Sequence, residues 1–272
     1  MGREVHRRVA AAALAVAAIG VAGGSTQVVA EPVETTTAVV PVQLPAPAAV
    51  GQQADVRARI AHATAAGTFE VVVSMATAVT VVNSDGSYTT RSTISMLDVP
   101  VGAEVAGNGV NNLVNQSFEQ TFTAGGTAIP QNSTLINATS MSAEQQASGR
   151  ALVDAISMVS IGFPGEPVSV GDSWTVDGTV GSHGITIPVT YHCSLTALTD
   201  STYTMAVSYT QPFSHPTNAG VIEATIAGSG TIVGSSTNPL VVSATLYQTI
   251  DGIEGSAPLH IDTSIALNGT AG

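Results

Sequence analysis

The 272-residue sequence predicts a mainly β, α+β protein: a large curved antiparallel sheet or half-barrel, one principal helix packed on it, and two halves of similar plan. Three observations carry this expectation. Long stretches alternate apolar and polar residues with period two. Turns rich in Gly, Asn and Asp punctuate them at hairpin spacing. Only residues 143–159 show a strong helical stripe instead.

The chain opens with a targeting pattern. Arg3, Arg7 and Arg8 form a positive start, Val9 to Ala22 is an uncharged Ala-rich run, and Val28-Val29-Ala30 offers small residues for cleavage, so residues 1–30 read as a signal peptide. The apolar run is too short to span a bilayer comfortably, and no transmembrane segment is expected after cleavage. No cysteine lies near the cleavage point, so the chain is expected to be secreted or held at the cell envelope without a lipid anchor. Residues 31–52, with Pro32, Pro41, Pro45, Pro47 and three consecutive threonines at 35–37, read as an extended linker that does not pack.

Residues 53–272 read as a single β-rich domain, with candidate halves 53–141 and 163–272 joined by the helix. Val56, Ala58 and Ile60 alternate with Arg57 and Arg59, and Ala66-Gly67 ends that run; a short helix is the rival reading there. Phe69, Val71, Val73, Met75, Val79 and Val81 line a second run, and Asn83-Ser84-Asp85-Gly86 is a hairpin turn into Tyr88–Val99. Residues 100–114 are Gly/Asn-rich. Phe118 and Phe122 flank another strand ending at Gly125-Gly126, with a partner at 134–138. The helix, 143–159, starts from a capping box at Ser142 and Gln145 and presents Ala151, Leu152, Ala155, Ile156 and Val159 on one face. Later runs at 174–180, 185–198, 203–213, 221–233, 239–250 and 259–267 complete an antiparallel meander.

Between the helix and this meander lies Phe163–Val176. Pro164 and Pro167 bar a helix or central strand. Val168 and Val170 suggest a short strand, and Gly171-Asp172 a tight turn. Trp174, the only tryptophan, then drops into the core at the parity of Val176. Pro167, Val168, Val170, Gly171, Asp172, Ser173 and Trp174 form a structural motif, with Trp174 either a core anchor or part of a ligand wall. The pattern resembles the signature of an uncharacterised family of exported, signal-peptide or lipoprotein, β-rich proteins of high-GC Gram-positive bacteria. That resemblance spans about residues 53–272 and implies export and a β-rich fold; it implies no activity.

The two halves share a plan: Asp85-Gly-Ser-Tyr88-Thr89 parallels Asp200-Ser-Thr-Tyr203-Thr204. The offset of 115 is odd, which puts the long strands out of phase unless a bulge intervenes.

Charge narrows the function. The net charge is −12, and lysine is absent. Without residues 1–30, which hold three Arg and Glu4, four Arg face 18 acids, or about −14. Such a surface repels nucleic acid and anionic lipid headgroups. The lone cysteine, Cys193, forms no intramolecular disulfide and falls on the apolar face of its strand. His6, His62, His183, His192, His215 and His260 have no helical zinc spacing, and no nucleophile elbow or phosphate loop appears. No catalytic, cofactor or metal residue is therefore assigned. Three classes stay open: a non-catalytic binding module for an apolar or cell-envelope ligand, a structural or interaction protein of the envelope, and an enzyme of unrecognised type relying on His183, His192 or Asp172.

Overall fold

A computed structural model describes residues 41–65, 67–99, 113–182, 185–217, 220–240 and 242–271. Residues 1–40, where a signal peptide and the first part of a linker are expected, and the stretch 100–112 lie outside the described residues. The strands are β1 Gln53–Thr64, β2 Gly67–Val82, β3 Tyr88–Asp98, β4 Ser117–Phe122 and β5 Ala128–Leu135. After helix α1, Ala143–Ser157, follow β6 Ser173–Ser182, β7 Ile185–Leu198, β8 Thr202–Thr217, β9 Gly220–Ser235, β10 Val242–Glu254 and β11 Ala257–Ala271.

All eleven form one antiparallel sheet in the order β5-β4-β3-β2-β1-β11-β10-β9-β8-β7-β6. The link that turns two meanders into one sheet is the pairing of β1 with β11, from Ala54 opposite Ala271 to Thr64 opposite Ile261. The sheet curls into a nearly closed barrel with one open seam, between β5 and β6. Helix α1 packs on both seam strands and also reaches β11. Inward residues alternate along each strand. Val56, Ala58 and Ile60 are buried on β1, and Ile187, Val189, Tyr191, Cys193 and Leu195 on β7.

The helix begins as its sequence requires. The Ser142 hydroxyl accepts from Gln145 N at 3.1 Å, and the Gln145 side chain accepts from Ser142 N at 2.7 Å. It ends at Ser157, two residues before the expected Val159. Its buried face is Gly149, Leu152, Val153 and Ile156, whereas Ala151 is exposed. The stripe is rotated because Gly149 must sit against Leu135, whose methyl carbons lie 3.0–3.1 Å from where a Cβ would stand. Beyond the helix, Ser160–Phe163 continues the cover by hydrogen bonding to the β4–β5 hairpin, with Ala128 N donating to Ser160 O and Phe163 N to Gly125 O. Gly162 is required there: a Cβ would lie 2.2 Å from the Thr127 hydroxyl.

Several expectations are corrected. The segment from Pro41 to Gln52 packs: Leu44 is 1% exposed, Pro45 and Ala46 are buried, and Val42 pairs with Val168. Its proline and alanine are small, rigid and apolar enough to lie along the barrel. The expected short strand at Val168–Val170 is a single bridge at Val168 followed by a turn that leaves Val170 44% exposed. The partner of β4 begins at Ala128 rather than 134. Val81 is 46% exposed because a bulge between Val79 and Val81 reverses the facing of the strand end.

The same bulge occurs in both halves, so loop length and not the bulge sets their odd offset. On β2 the extra residue is Thr80, and on β7 it is Thr196. Each of these threonine hydroxyls donates to the residue after an inward tyrosine, Thr80 to Thr89 O at 3.2 Å and Thr196 to Thr204 O at 3.1 Å. Before the turns the equivalence runs from Val79 to Leu195 and Val82 to Leu198, an even offset of 116; after them it runs from Tyr88 to Tyr203, an offset of 115. One loop is simply a residue shorter. The long strands are in phase.

The equivalence extends backwards. Gly51 N donates to Val79 O and Val79 N to Gln52 O; Gly171 N donates to Leu195 O and Leu195 N to Asp172 O. Both glycines have left-handed backbones, φ 89° and 94°. The Gln52 and Asp172 side chains each reach back three residues, accepting from Ala49 N and Ser169 N at 2.8 Å. Thus Pro47-Ala-Ala-Val-Gly-Gln52 is the first-half counterpart of Pro167-Val-Ser-Val-Gly-Asp172.

Candidate functional site: a neutral aromatic cavity in the barrel

The motif of the second half stands behind one wall of a cavity, the ring of Phe163. Its turn directs β6 so that Trp174 lies opposite Cys193. Trp174 is half-buried, not the fully buried anchor its parity suggested. Its indole N–H donates to Gly162 O at 3.1 Å, and its ring lies 5.2 Å from that of Phe163. Phe163 in turn meets Tyr203 edge-on at 4.8 Å. Of the other motif residues, Val168 is buried, Asp172 caps the turn, and Pro167 and Ser173 are exposed. None of the seven lines the cavity; Trp174 supports it through Phe163.

The cavity measures about 110 Å³. Phe163, Tyr203, Tyr88, Phe118 and Phe122 supply its aromatic rings, and Val56, Leu267, Val242 and Ile232 its aliphatic floor. The post-helix residues Val159 and Ile161 close one side, and Pro45 of the packed strap touches another. Tyr88 and Phe122 are stacked at 5.1 Å. Among the described residues no Asp, Glu, Lys, Arg, His or Cys lines it.

Its polar wall comes from β3 and β4. Thr90, Ser92 and Gln120 point inward and are 3–5% exposed. They satisfy one another and their surroundings. Ser92 bonds Thr77 at 2.9 Å, Thr90 donates to Gln120 O at 3.5 Å, and the Gln120 amide donates to Ser157, whose hydroxyl donates to Val153 O at 2.7 Å. Tyr88 and Tyr203, 4% and 5% exposed, differ. Among the described residues neither phenol has a hydrogen-bond partner. Burial raises both above the ordinary phenol value, Tyr203 to about 12, so both remain protonated donors at neutral pH. Each ring occupies space left by glycine: the Tyr203 hydroxyl lies 2.2 Å from where a Gly234 Cβ would stand, and Tyr88 lies beside Gly126.

Farther along the barrel the interior is filled and satisfied. Tyr191 and Tyr209 meet edge-on at 5.2 Å, and Tyr209 donates to the buried Gln248 Oε1 at 2.6 Å. Cys193 is 2% exposed, and burial pushes its thiol up to about 12. The histidines do not converge: His192 is exposed, His62 bonds Thr263 at 2.9 Å, and His260 sits between two aspartates. Those aspartates, Asp251 and Asp262, bind opposite ring nitrogens, so they do not face a common ion. Among the described residues no group of three His, Cys, Asp or Glu is placed to hold a metal, and no helix is long and apolar enough to cross a membrane. His6 and His183 lie outside the described residues.

Sequence reasoning singled out the elbow but not the cavity. A signal was present: the inward parity of β3 reads Tyr88, Thr90, Ser92, Ile94, a polar face where a core strand would carry aliphatics. The chain matches no known protein-family model and no curated protein.

Proposed function

We propose that this is an exported, non-catalytic binding module that holds an apolar or cell-envelope ligand within its barrel. The observation that carries the reading is the charge-free cavity, walled by aromatic and aliphatic side chains and bordered by a strap of the chain's own lead-in segment. Concave, mostly apolar sites with a few placed polar groups are the usual form of small-ligand pockets. Export rests on the basic start, the apolar run and the small-residue cleavage pattern of residues 1–30, with no cysteine for lipidation. The strap is tied back by the Val42–Val168 pair, by the Gly51 and Gln52 bonds to Val79, and by the buried Leu44, Pro45 and Ala46.

Native mass spectrometry of the protein purified from its host tests this. A co-purified apolar mass, together with a change of Trp174 emission when envelope lipid is added to stripped protein, is the expected result. Trp174 is the natural reporter because Phe163 lies between it and the cavity. A bare protein with unchanged emission overturns the reading.

One observation favours a second reading, a structural or interaction protein of the envelope. The cavity of about 110 Å³ is smaller than the roughly 300 Å³ at which ligand pockets usually begin. A bare protein in the same experiment would support that reading.

A further inference from the structure

We infer that the cavity selects an uncharged ligand carrying a hydrogen-bond acceptor, such as an ester or ketone carbonyl on an apolar ring or chain, gripped by the hydroxyls of Tyr88 and Tyr203. This deepens the proposed binding function and rests on it.

The argument starts from what is satisfied and what is not. Thr77, Ser92, Thr90, Gln120 and Ser157 are already bonded within the protein, so they offer little to a guest. The two phenols are the exception: more than nine-tenths buried, lining the cavity, and without a partner among the described residues. The phenol oxygens are not fully enclosed, since Ser133 Oγ is the one fully buried side-chain polar atom without a partner among the described residues; each keeps accessible surface at which an acceptor on a guest can complete its hydrogen bond. A phenol that stays protonated donates, so the matching group on the ligand is an acceptor. The lining supplies no charge to compensate an ion, so a carboxylate or ammonium entering it would lose its hydration uncompensated. The remaining surface is aromatic and aliphatic and suits a ring or a short chain; cavities of about this size accept single aromatic rings.

The placement is not a property of one strand alone. Tyr88 and Tyr203 are equivalent residues of the two halves, each entering the barrel just after its Asp-containing turn and pairing with the last residue of the preceding strand, Val82 or Leu198. Barrel curvature brings the two equivalent donors to a single cavity.

Three probes of similar size test the inference on the full mature chain: methyl benzoate, with a neutral acceptor; sec-butylbenzene, the hydrocarbon of the same branching without one; and benzoate, the charged analogue. Dissociation constants come from ligand-observed NMR and from Trp174 emission. Methyl benzoate is expected to bind about fivefold or more tighter than sec-butylbenzene, the worth of a net neutral hydrogen bond. Benzoate is expected to bind at least tenfold weaker than the ester. In Tyr88→Phe and Tyr203→Phe the preference for the ester falls while sec-butylbenzene affinity holds. The wild-type comparison stands even if a variant fails to fold. Equal affinity for ester and hydrocarbon overturns the role of the phenols and leaves the apolar-binding reading intact. Benzoate binding tightest overturns the neutral-ligand inference. If neither neutral probe binds, the binding function itself falls.

Discussion

Trp174 tests how the motif supports the cavity. Truncation to alanine removes three things at once: half-buried indole surface, the 3.1 Å hydrogen bond to Gly162 O, and the ring contact with Phe163 at 5.2 Å. A fully buried tryptophan costs about 3–5 kcal/mol on truncation. Half burial scales the packing part to about 2 kcal/mol, and the lost N–H donor adds about 1 kcal/mol, for a total of about 2–3 kcal/mol. Trp174→Phe separates the contributions. It keeps most of the ring contact and loses the donor, so it should cost about 1 kcal/mol. Urea unfolding followed by far-ultraviolet circular dichroism measures both, because the fluorescent reporter is itself removed; unchanged m-values would show that the denatured state is not the cause. Phenylalanine as costly as alanine would refute the division between packing and hydrogen bond. An alanine variant within about 0.5 kcal/mol of wild type would place it among ordinary surface substitutions and refute the supporting role altogether.

Other expectations concern groups away from the cavity. Tyr209→Phe leaves the buried Gln248 carbonyl oxygen without its donor and should cost about 1–3 kcal/mol in urea unfolding, while adding Gln248→Leu should recover much of the loss, since removing both partners is far cheaper than removing one; a double variant worse than the single would refute the pairing. The hydrogen bonds that His260 donates to Asp251, and then to Asp262, raise its pKa above the ordinary 6.5, so protonated His260 stabilises the fold fully below about pH 6.5, and this contribution is lost as pH rises through the elevated value. An NMR titration should find the elevated pKa, and Asp251→Asn should lower it; an ordinary pKa in the wild type would contradict the clamp. Cys193, 2% exposed and with its thiol pushed up to about 12, should react with a thiol reagent at neutral pH only as fast as the protein unfolds; rapid labelling of native protein would contradict its position on the inner face of β7.

Strand parity was legible because one face of nearly every strand is buried. The alternation on β1 and the run 185–198, which is β7 residue for residue, needed only the period-two rule. The capping box at Ser142 and the Asn83–Gly86 turn were equally local, and both formed as their side chains dictate. What stayed hidden was long-range. Period two tells which way a residue faces and says nothing about which strands meet, so the β1–β11 pairing that curls the sheet had no sequence signature. The bulges at Thr80 and Thr196 hid among ordinary alternating threonines. The strap hid in a proline- and alanine-rich composition that reads as linker, although Leu44 sits in the core. The cavity was missed because an inward Thr90, Ser92 and Gln120 look like the polar face of a surface strand until the sheet closes over them.

The two lead-in turns explain why the motif is visible once and not twice. Gly51 and Gly171 do the same backbone work, and Gln52 and Asp172 make the same backward cap. The copies differ two residues later, where the second half places Trp174 and the first half Ala54, each at the start of its half's first strand. Trp174 has Phe163 and the Gly162 carbonyl to pack on, supplied by the chain leaving α1. Ala54, 1% exposed, lies where β1 is paired on both sides, with Thr77 of β2 and Ala271 of β11. β6 is paired only with β7, and its other edge faces the seam. A large ring is therefore useful on the seam strand, where it fills space that no neighbouring strand occupies, and a methyl group suffices in the middle of the sheet. The asymmetry of one repeated elbow thus follows from where each half ends up in the barrel. The floor of the cavity comes from aliphatic residues of β1, β9, β10 and β11 in the middle of the sheet, and its rings come from β3, β4, β8 and the chain leaving α1.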